Sequence, residues 1–229
     1  SKYLVYGFGK PEGNIVWTNG KKAELLFDIG MNNNPLMLEM SYHALEAQKV
    51  IVSVNGKQVE EYIAAGSESK KIFIPSDCLD ESELHIVLEF PNAVSPAEKE
   101  INADRRVLAL ALCSIRISEV EVNYYELGTE LTFDTENTAG KYIVKGFSVS
   151  EGPFTWTIGN QAELLFGIEE RNVSMMLEMN YFTRTDSQHV IVLANGNVVD
   201  DFVAVGNEEK RIMIPMEYLN GNELLITIN

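Results

Sequence analysis

Lys49-Val50-Ile51-Val52-Ser53-Val54-Asn55-Gly56 is the stretch that decides the fold. A β-branched run flows straight into Asn-Gly, and β-like sequence resumes after it. A type I′ hairpin needs two adjacent residues that tolerate positive φ, and Asn-Gly meets that need at low steric cost. The same pattern returns as Val190-Ile191-Val192 and Asn195-Gly196, at an offset of 140 (Asn55 to Asn195). Around the first hairpin, Lys22–Ile29, Met37–Tyr42, Lys71–Ile74 and Leu84–Phe90 are short apolar or alternating runs. Gly, Asn, Pro and Ser clusters separate them, which predicts strands. The apolar run Val107–Cys113 has the length of a buried strand.

Helix is scarce. Ser95-Pro96-Ala97-Glu98 reads as a capping box with Pro at the first helical position, which predicts a short helix over Ala97–Ile101. Single turns are expected after Pro75 and Pro215.

The repeat extends over most of the chain. Gly7-Phe8 recurs as Gly146-Phe147, Glu12-Gly13 as Glu151-Gly152, and Trp17-Thr18 as Trp156-Thr157. Ala23-Glu24-Leu25-Leu26-Phe27 is matched residue for residue by Ala162-Glu163-Leu164-Leu165-Phe166. Tyr42 pairs with Tyr181 at the same offset, 139 (Trp17 to Trp156). One insertion later, Ile74-Pro75 answers to Ile214-Pro215 and Glu83-Leu84 to Glu223-Leu224. Such a period far exceeds that of a solenoid, so each copy is expected to be a self-contained domain.

The expected architecture is all-β: two tandem antiparallel β-sandwiches, jelly-roll-like, over residues 1–122 and 123–229. The copies are out of phase with the ends. Tyr124–Phe133 leads into copy two without a counterpart before copy one, and Pro91–Val122 follows copy one only. A fragment of a longer protein is the simplest expectation, with an N-terminal strand missing from the first copy and a closing section from the second.

The 229 residues are 45% hydrophobic and 23% charged, which suits a globular chain and excludes global disorder. A net charge of −16 repels phosphate backbones and anionic headgroups, which argues against nucleic-acid and peripheral-membrane roles. No apolar stretch approaches the roughly 20 residues of a membrane helix, so no direct membrane insertion is expected. Two cysteines, Cys78 and Cys113, form no CxxC, and buried free thiols are the expectation.

Motifs for nucleophilic, nucleotide or zinc chemistry are absent, and no cofactor or metal is expected. His43, His85 and His189 read as strand histidines without the convergent partners zinc requires. Asp77, Asp80, Glu81 and Glu83 read as a solvated acidic turn rather than a calcium loop, because the DxDxDG spacing is missing. Asn172-Val173-Ser174 matches a glycosylation acceptor.

Six residues form the candidate ligand-binding set. Trp17 and Trp156, one per copy, can stack on a sugar ring, while equivalent placement suits a sandwich core equally well and makes the core position the expectation. Glu12 and Glu151 precede each tryptophan and can read hydroxyls or cap a loop. Asp104 and Arg105, in Asp104-Arg105-Arg106, can grip an anion or pin the preceding loop to the sandwich. Pinning is the expectation there.

Gly7-Phe8, Glu12, Trp17-Thr18, Gly20 and Ala23 resemble the opening of an accessory β-sandwich domain of bacterial surface-polysaccharide proteins. Pro91-Asn92-Ala93-Val94-Ser95-Pro96, Asp104-Arg105-Arg106, Leu110-Ala111-Leu112 and Ser114-Ile115 resemble its closing section. That domain is appended to membrane phosphoglycerol transferases and glycosyltransferases. The resemblance implies a non-catalytic module at the extracytoplasmic face of a bacterial cell, tied to a catalytic or membrane domain of its parent chain, with glycan as the candidate ligand. A ligand-free spacer, dimerisation or protein-interaction module is the alternative. Buried tryptophans would favour the spacer, and an exposed aromatic face would favour binding.

Overall fold

A computed structural model describes residues 2–32, 34–79, 82–170, 172–219 and 221–229. The chain divides into two compact units, Ser1–Glu121 and Val122–Asn229. Both are antiparallel β-sandwiches.

In the first unit, β1 (Leu4–Tyr6), β3 (Lys22–Asp28), β8 (Glu83–Glu89), β5 (Gln48–Val54) and β6 (Lys57–Ala64) form one sheet in the order β1-β3-β8-β5-β6. The facing sheet has the order β2-β9-β4-β7, from β2 (Val16–Asn19), β9 (Leu108–Glu119), β4 (Leu36–Ala44) and β7 (Ser67–Ile74). Alternation explains how they pack. Leu36, Leu38, Met40 and Tyr42 of β4 are buried and meet Val50, Val52 and Val54 of β5 and Leu84, Ile86 and Leu88 of β8 in one core.

The second unit repeats the larger sheet as β10 (Ile143–Lys145), β11 (Ala162–Gly167), β16 (Glu223–Ile228), β13 (Gln188–Ala194) and β14 (Asn197–Ala204), in the order β10-β11-β16-β13-β14. Among the described residues, its facing sheet is made of β12 (Met175–Phe182) and β15 (Asn207–Ile214), the counterparts of β4 and β7. Among the described residues, no strand occupies the place that β9 holds in the first unit. The separate core of this unit gathers Tyr142, Phe166, Val192, Ile212, Ile214, Leu224 and Ile226.

Both Asn-Gly hairpins form, with φ of 47° and 83° at Asn55 and Gly56 and 46° and 79° at Asn195 and Gly196. Gly7 and Gly146 are required for a different reason. A Cβ on either would lie 2.0 Å from the backbone oxygen of Lys22 or Gln161, so only glycine allows the opening segment to lie against β3 or β11.

Three expectations are corrected. The capping box at Ser95 forms: the Ser95 amide donates to Glu98 Oε2 at 3.1 Å, and the Glu98 amide donates to Ser95 Oγ at 3.2 Å. Residues 96–100 nevertheless make only a turn, because Glu100 adopts φ 56° and the Ala97 amide donates to the Asp104 carbonyl. The strand begun by the apolar run continues through Ser114-Ile115-Arg116-Ile117-Ser118 to Glu119, because β4 pairs with it over that whole length. Both cysteines are free; Cys78 is buried, but Cys113 is exposed. The single turns after Pro75 and Pro215 are present as 3-10 turns at Ser76–Cys78 and Met216–Tyr218.

Candidate functional site

Thr18 faces the core and is fully buried, so by alternation Trp17 lies on the outer face of its sheet. Trp17 is half-buried and outside the core cluster. Its register partner on β9 is Ala111, which also partners His43 of β4. The outer row therefore reads Trp17, Ala111, His43.

The second unit keeps the first and last members of that row and lacks the middle one. Residues 155–158 are held as residues 16–19 are: the Ile158 amide donates to the Gly146 carbonyl at 2.8 Å, as Asn19 does to Gly7 at 2.7 Å. Trp156 there meets Phe182, the counterpart of His43 on β12, with ring centroids 5.0 Å apart. Phe154 packs edge-on against both, at 5.1 Å from Trp156 and 4.8 Å from Phe182. Phe182 is 40% exposed and the other two rings are half-buried.

Each ring meets the next at a steep angle, between 68° and 82°, so positive ring edges contact negative faces. Glu151 completes the patch by accepting the Trp156 indole N–H at Oε2, 3.2 Å away. That bond fixes the orientation of the indole and leaves the rest of the exposed carboxylate free to accept from a ligand. Aromatic surface beside a hydrogen-bonding carboxylate can stack on the C–H face of a sugar and bind its hydroxyls.

The corresponding place in the first unit is a clamp. Arg106 Nη1 donates to Glu12 Oε1 at 2.7 Å, while Nη2 donates to Asp104 Oδ2 at 2.6 Å and Nε to the same oxygen at 3.0 Å. The Arg106 amide also donates to Asp104 Oδ1 at 2.9 Å. Glu12 sits on a tight turn closed by paired backbone bonds with Ile15, so the guanidinium ties that turn to the loop before β9. Hydrogen bonding to Arg106 holds the Asp104 carboxyl below the usual carboxylate range. The bonds from Asp104 and Glu12 hold the Arg106 guanidinium charged well above its ordinary range.

The structure thus separates the six candidate residues. Glu12 and Asp104 meet through Arg106, whereas Arg105 is exposed beside the clamp. Glu151 and Trp156 meet directly, while Trp17 stands apart on β2. Neither tryptophan belongs to a core, which corrects the core expectation; Thr18 beside Trp17 is buried, whereas Thr157 beside Trp156 is exposed. Asp80 and Glu81 of the acidic turn lie outside the described residues. Asp77 accepts from Lys57 at both its carbonyl and, at 3.3 Å, its carboxylate. The histidines make cross-strand contacts: His43 with Ser67 Oγ at 3.0 Å, His85 with Glu24 at 3.0 Å and His189 with Asp201 at 2.6 Å.

No family model matches the sequence, and no curated protein matches it. Solved structures that overlay on the chain include the N-terminal tandem CBM22 domains of Xyn10C from Paenibacillus barcinonensis, at 12% identity and a TM-score of 0.34, covering 94% of this chain and 78% of that one. The ANXUR1 extracellular domain from Arabidopsis thaliana overlays at 11% identity and a TM-score of 0.33, covering 100% and 84%. A peptide-N(4)-(N-acetyl-beta-D-glucosaminyl) asparagine amidase does so at 8% and 0.35, covering 99% and 87%. None of these overlays bears on ligand or activity.

Two residues of the two sites escaped the sequence reading, Phe154 and Phe182. Arg106 is read there with Asp104 and Arg105 as pinning the loop but stands outside the candidate set; the pinning is made by Arg106. Phe154 stands two residues before Trp156, the spacing that puts side chains on one face of an extended segment. That spacing was the available signal. Phe182 has His43 as its repeat counterpart, so comparing the copies hid it.

Proposed function

We propose that this chain is a non-catalytic accessory module that binds carbohydrate through Phe154, Trp156 and Phe182, with Glu151 reading hydroxyls. The observation that carries this reading is the solvent-facing aromatic cluster with its indole N–H fixed by Glu151. Aromatic rings left at the surface carry a solvation cost that ligand stacking relieves. The acidic net charge favours neutral or amino sugars over polyanionic glycans. The resemblance of the opening and closing segments supports reading the module as part of a bacterial surface-glycan enzyme at the extracytoplasmic face. There it would hold the parent catalytic or membrane domain near its polymer.

The test is a titration of a panel of bacterial surface oligosaccharides, read by tryptophan emission in the Trp17→Phe variant, where Trp156 is the sole reporter. Binding should shift the emission, protect it from iodide and be lost in Phe182→Ala. Emission indifferent to every glycan, with quenching unchanged, would remove the carbohydrate reading and leave the interaction module in the lead.

A further inference from the structure

Phe154 and Trp156 lie outside the strands of their unit, on an arch of backbone that is bonded within itself. The Ser148 amide donates to the Trp156 carbonyl at 2.9 Å, and the Trp156 amide donates to Ser148 Oγ at 3.1 Å. The Glu151 amide donates to the Phe154 carbonyl at 2.8 Å. In such an extended segment Phe154 and Trp156 share one face, and Thr155 between them turns the other way. Its hydroxyl donates to the Phe133 carbonyl at 2.6 Å. Phe133 is itself anchored. Its ring stacks on Phe147, with centroids 5.5 Å apart and 23° between the planes, and both rings pack against the core of the second unit.

The Phe133 carbonyl belongs to a loop, residues 132–139, that closes on itself. The Thr132 amide donates to Thr138 Oγ1 at 2.8 Å, and the Ala139 amide donates to the Thr132 carbonyl at 3.1 Å. Inside the loop, Asp134 Oδ1 accepts the amides of Glu136 at 2.9 Å and Asn137 at 3.2 Å. Ala139 is fully buried, which fixes the end of the loop in the unit.

We propose that Thr155 is a positioning residue for the carbohydrate patch, acting through Phe154 and Trp156, and that the 132–139 loop is the support it bonds to. The inference rests on reading Phe154, Trp156 and Phe182 as the ligand surface. Ser148 and Glu151 hold the arch within itself, whereas Thr155 ties it to the body of the unit. The repeat shows the exchange that this tie represents. Val16 holds the equivalent place in the first unit, where it pairs with Leu112 of β9 and Trp17 follows it in the same strand. A ladder holds that segment; a side-chain hydroxyl holds its counterpart in the second unit. A patch fixed before its ligand arrives avoids an ordering cost on binding, and it is only as firm as the contacts behind it.

The test uses the full chain carrying Trp17→Phe, so that Trp156 is the reporter. Thr155→Val removes the donor and keeps the branched shape, and Thr155→Ser keeps the donor. Without ligand, Thr155→Val should lower the anisotropy and near-ultraviolet dichroism of Trp156 and raise its quenching by iodide, and Thr155→Ser should restore all three. With cellotetraose and chitotetraose as neutral probes, Thr155→Val should bind about fivefold more weakly than the parent, the size of one lost hydrogen bond. Asp134→Ala, which loosens the loop from within, should weaken binding in the same direction, and adding it to Thr155→Val should cost less than the sum of the two. Trp156 signals in Thr155→Val identical to the parent, even with a lower urea midpoint, would overturn the proposal, because the threonine would then be a structural tie only. Equal affinity of Thr155→Val and the parent for a probe would overturn it as well. If neither probe moves the parent, the carbohydrate reading is what fails, and the ligand-free signals still decide whether Thr155 positions the rings.

Discussion

The side-chain amide of Asn195 donates to the carbonyls of Tyr218 at 2.9 Å and Glu223 at 3.1 Å, and its oxygen accepts the Leu225 amide at 2.8 Å. Asn55 does the same with Cys78, Glu83 and His85. One residue type therefore meets two demands, the positive φ of the hairpin and the capping of a 3-10 turn and the following strand. Asn195→Gly keeps the first and loses the second, removing three hydrogen bonds to backbone groups. A loss of about 2–3 kcal/mol is expected from the urea midpoint, and a loss under about 0.5 kcal/mol would show that water replaces the amide fully. The Asp104–Arg106 clamp makes a pH prediction at the same scale. A carboxyl whose folded pKa is depressed adds stability above its unfolded pKa and loses it as pH falls through the lower folded value. Arg106→Gln should therefore flatten the decline of stability below about pH 4 relative to the parent, measured by denaturant melts across that range.

At the scale of the element, β4 and β12 are the same strand in two settings. The inward residues keep their types, with Leu38-Glu39-Met40 answered by Leu177-Glu178-Met179, yet one strand is sealed and the other is half-open. Amides on the unpaired edge of β12 should exchange at least about tenfold faster than their counterparts on β4, and equal protection would mean that the edge is occupied in solution. The strands themselves were legible because alternation and the Asn-Gly turns are local signals. What alternation does not encode is which strand lies beside which. Among the described residues no strand lies along the second edge of β12, a long-range matter, and it is beside that edge that Trp156 and Phe182 meet as a patch. Trp17 was misjudged for a related reason: its strand lies at a sheet edge, where a large outward residue is half-covered rather than enclosed. Arg106 rather than Arg105 forms the clamp because the loop before β9 sets which of two adjacent guanidiniums turns inward, and loops have no period to read.

For the molecule as a whole, the two units hold separate cores of unequal completeness. The first seals β4, β5 and β8 between two broad sheets, while the second closes a five-stranded sheet with two strands and leaves Leu177, Met179 and Tyr181 half-covered. Each buried methylene contributes about 0.8 kcal/mol, so partial cover on several large side chains is a deficit of several kcal/mol for the second unit. It should therefore unfold first. The one tryptophan per unit makes this readable: in Trp17→Phe the emission of Trp156 should report a transition at low urea, and in Trp156→Phe that of Trp17 should report one at higher urea. Adding a strand-forming peptide of residues 106–119 should move only the first midpoint upward, because among the described residues β12 lacks the neighbour that its counterpart β4 has in β9. Coincident midpoints in the two variants, unmoved by the peptide, would mean that the second unit is as complete as the first and that its open sheet carries no energetic debt.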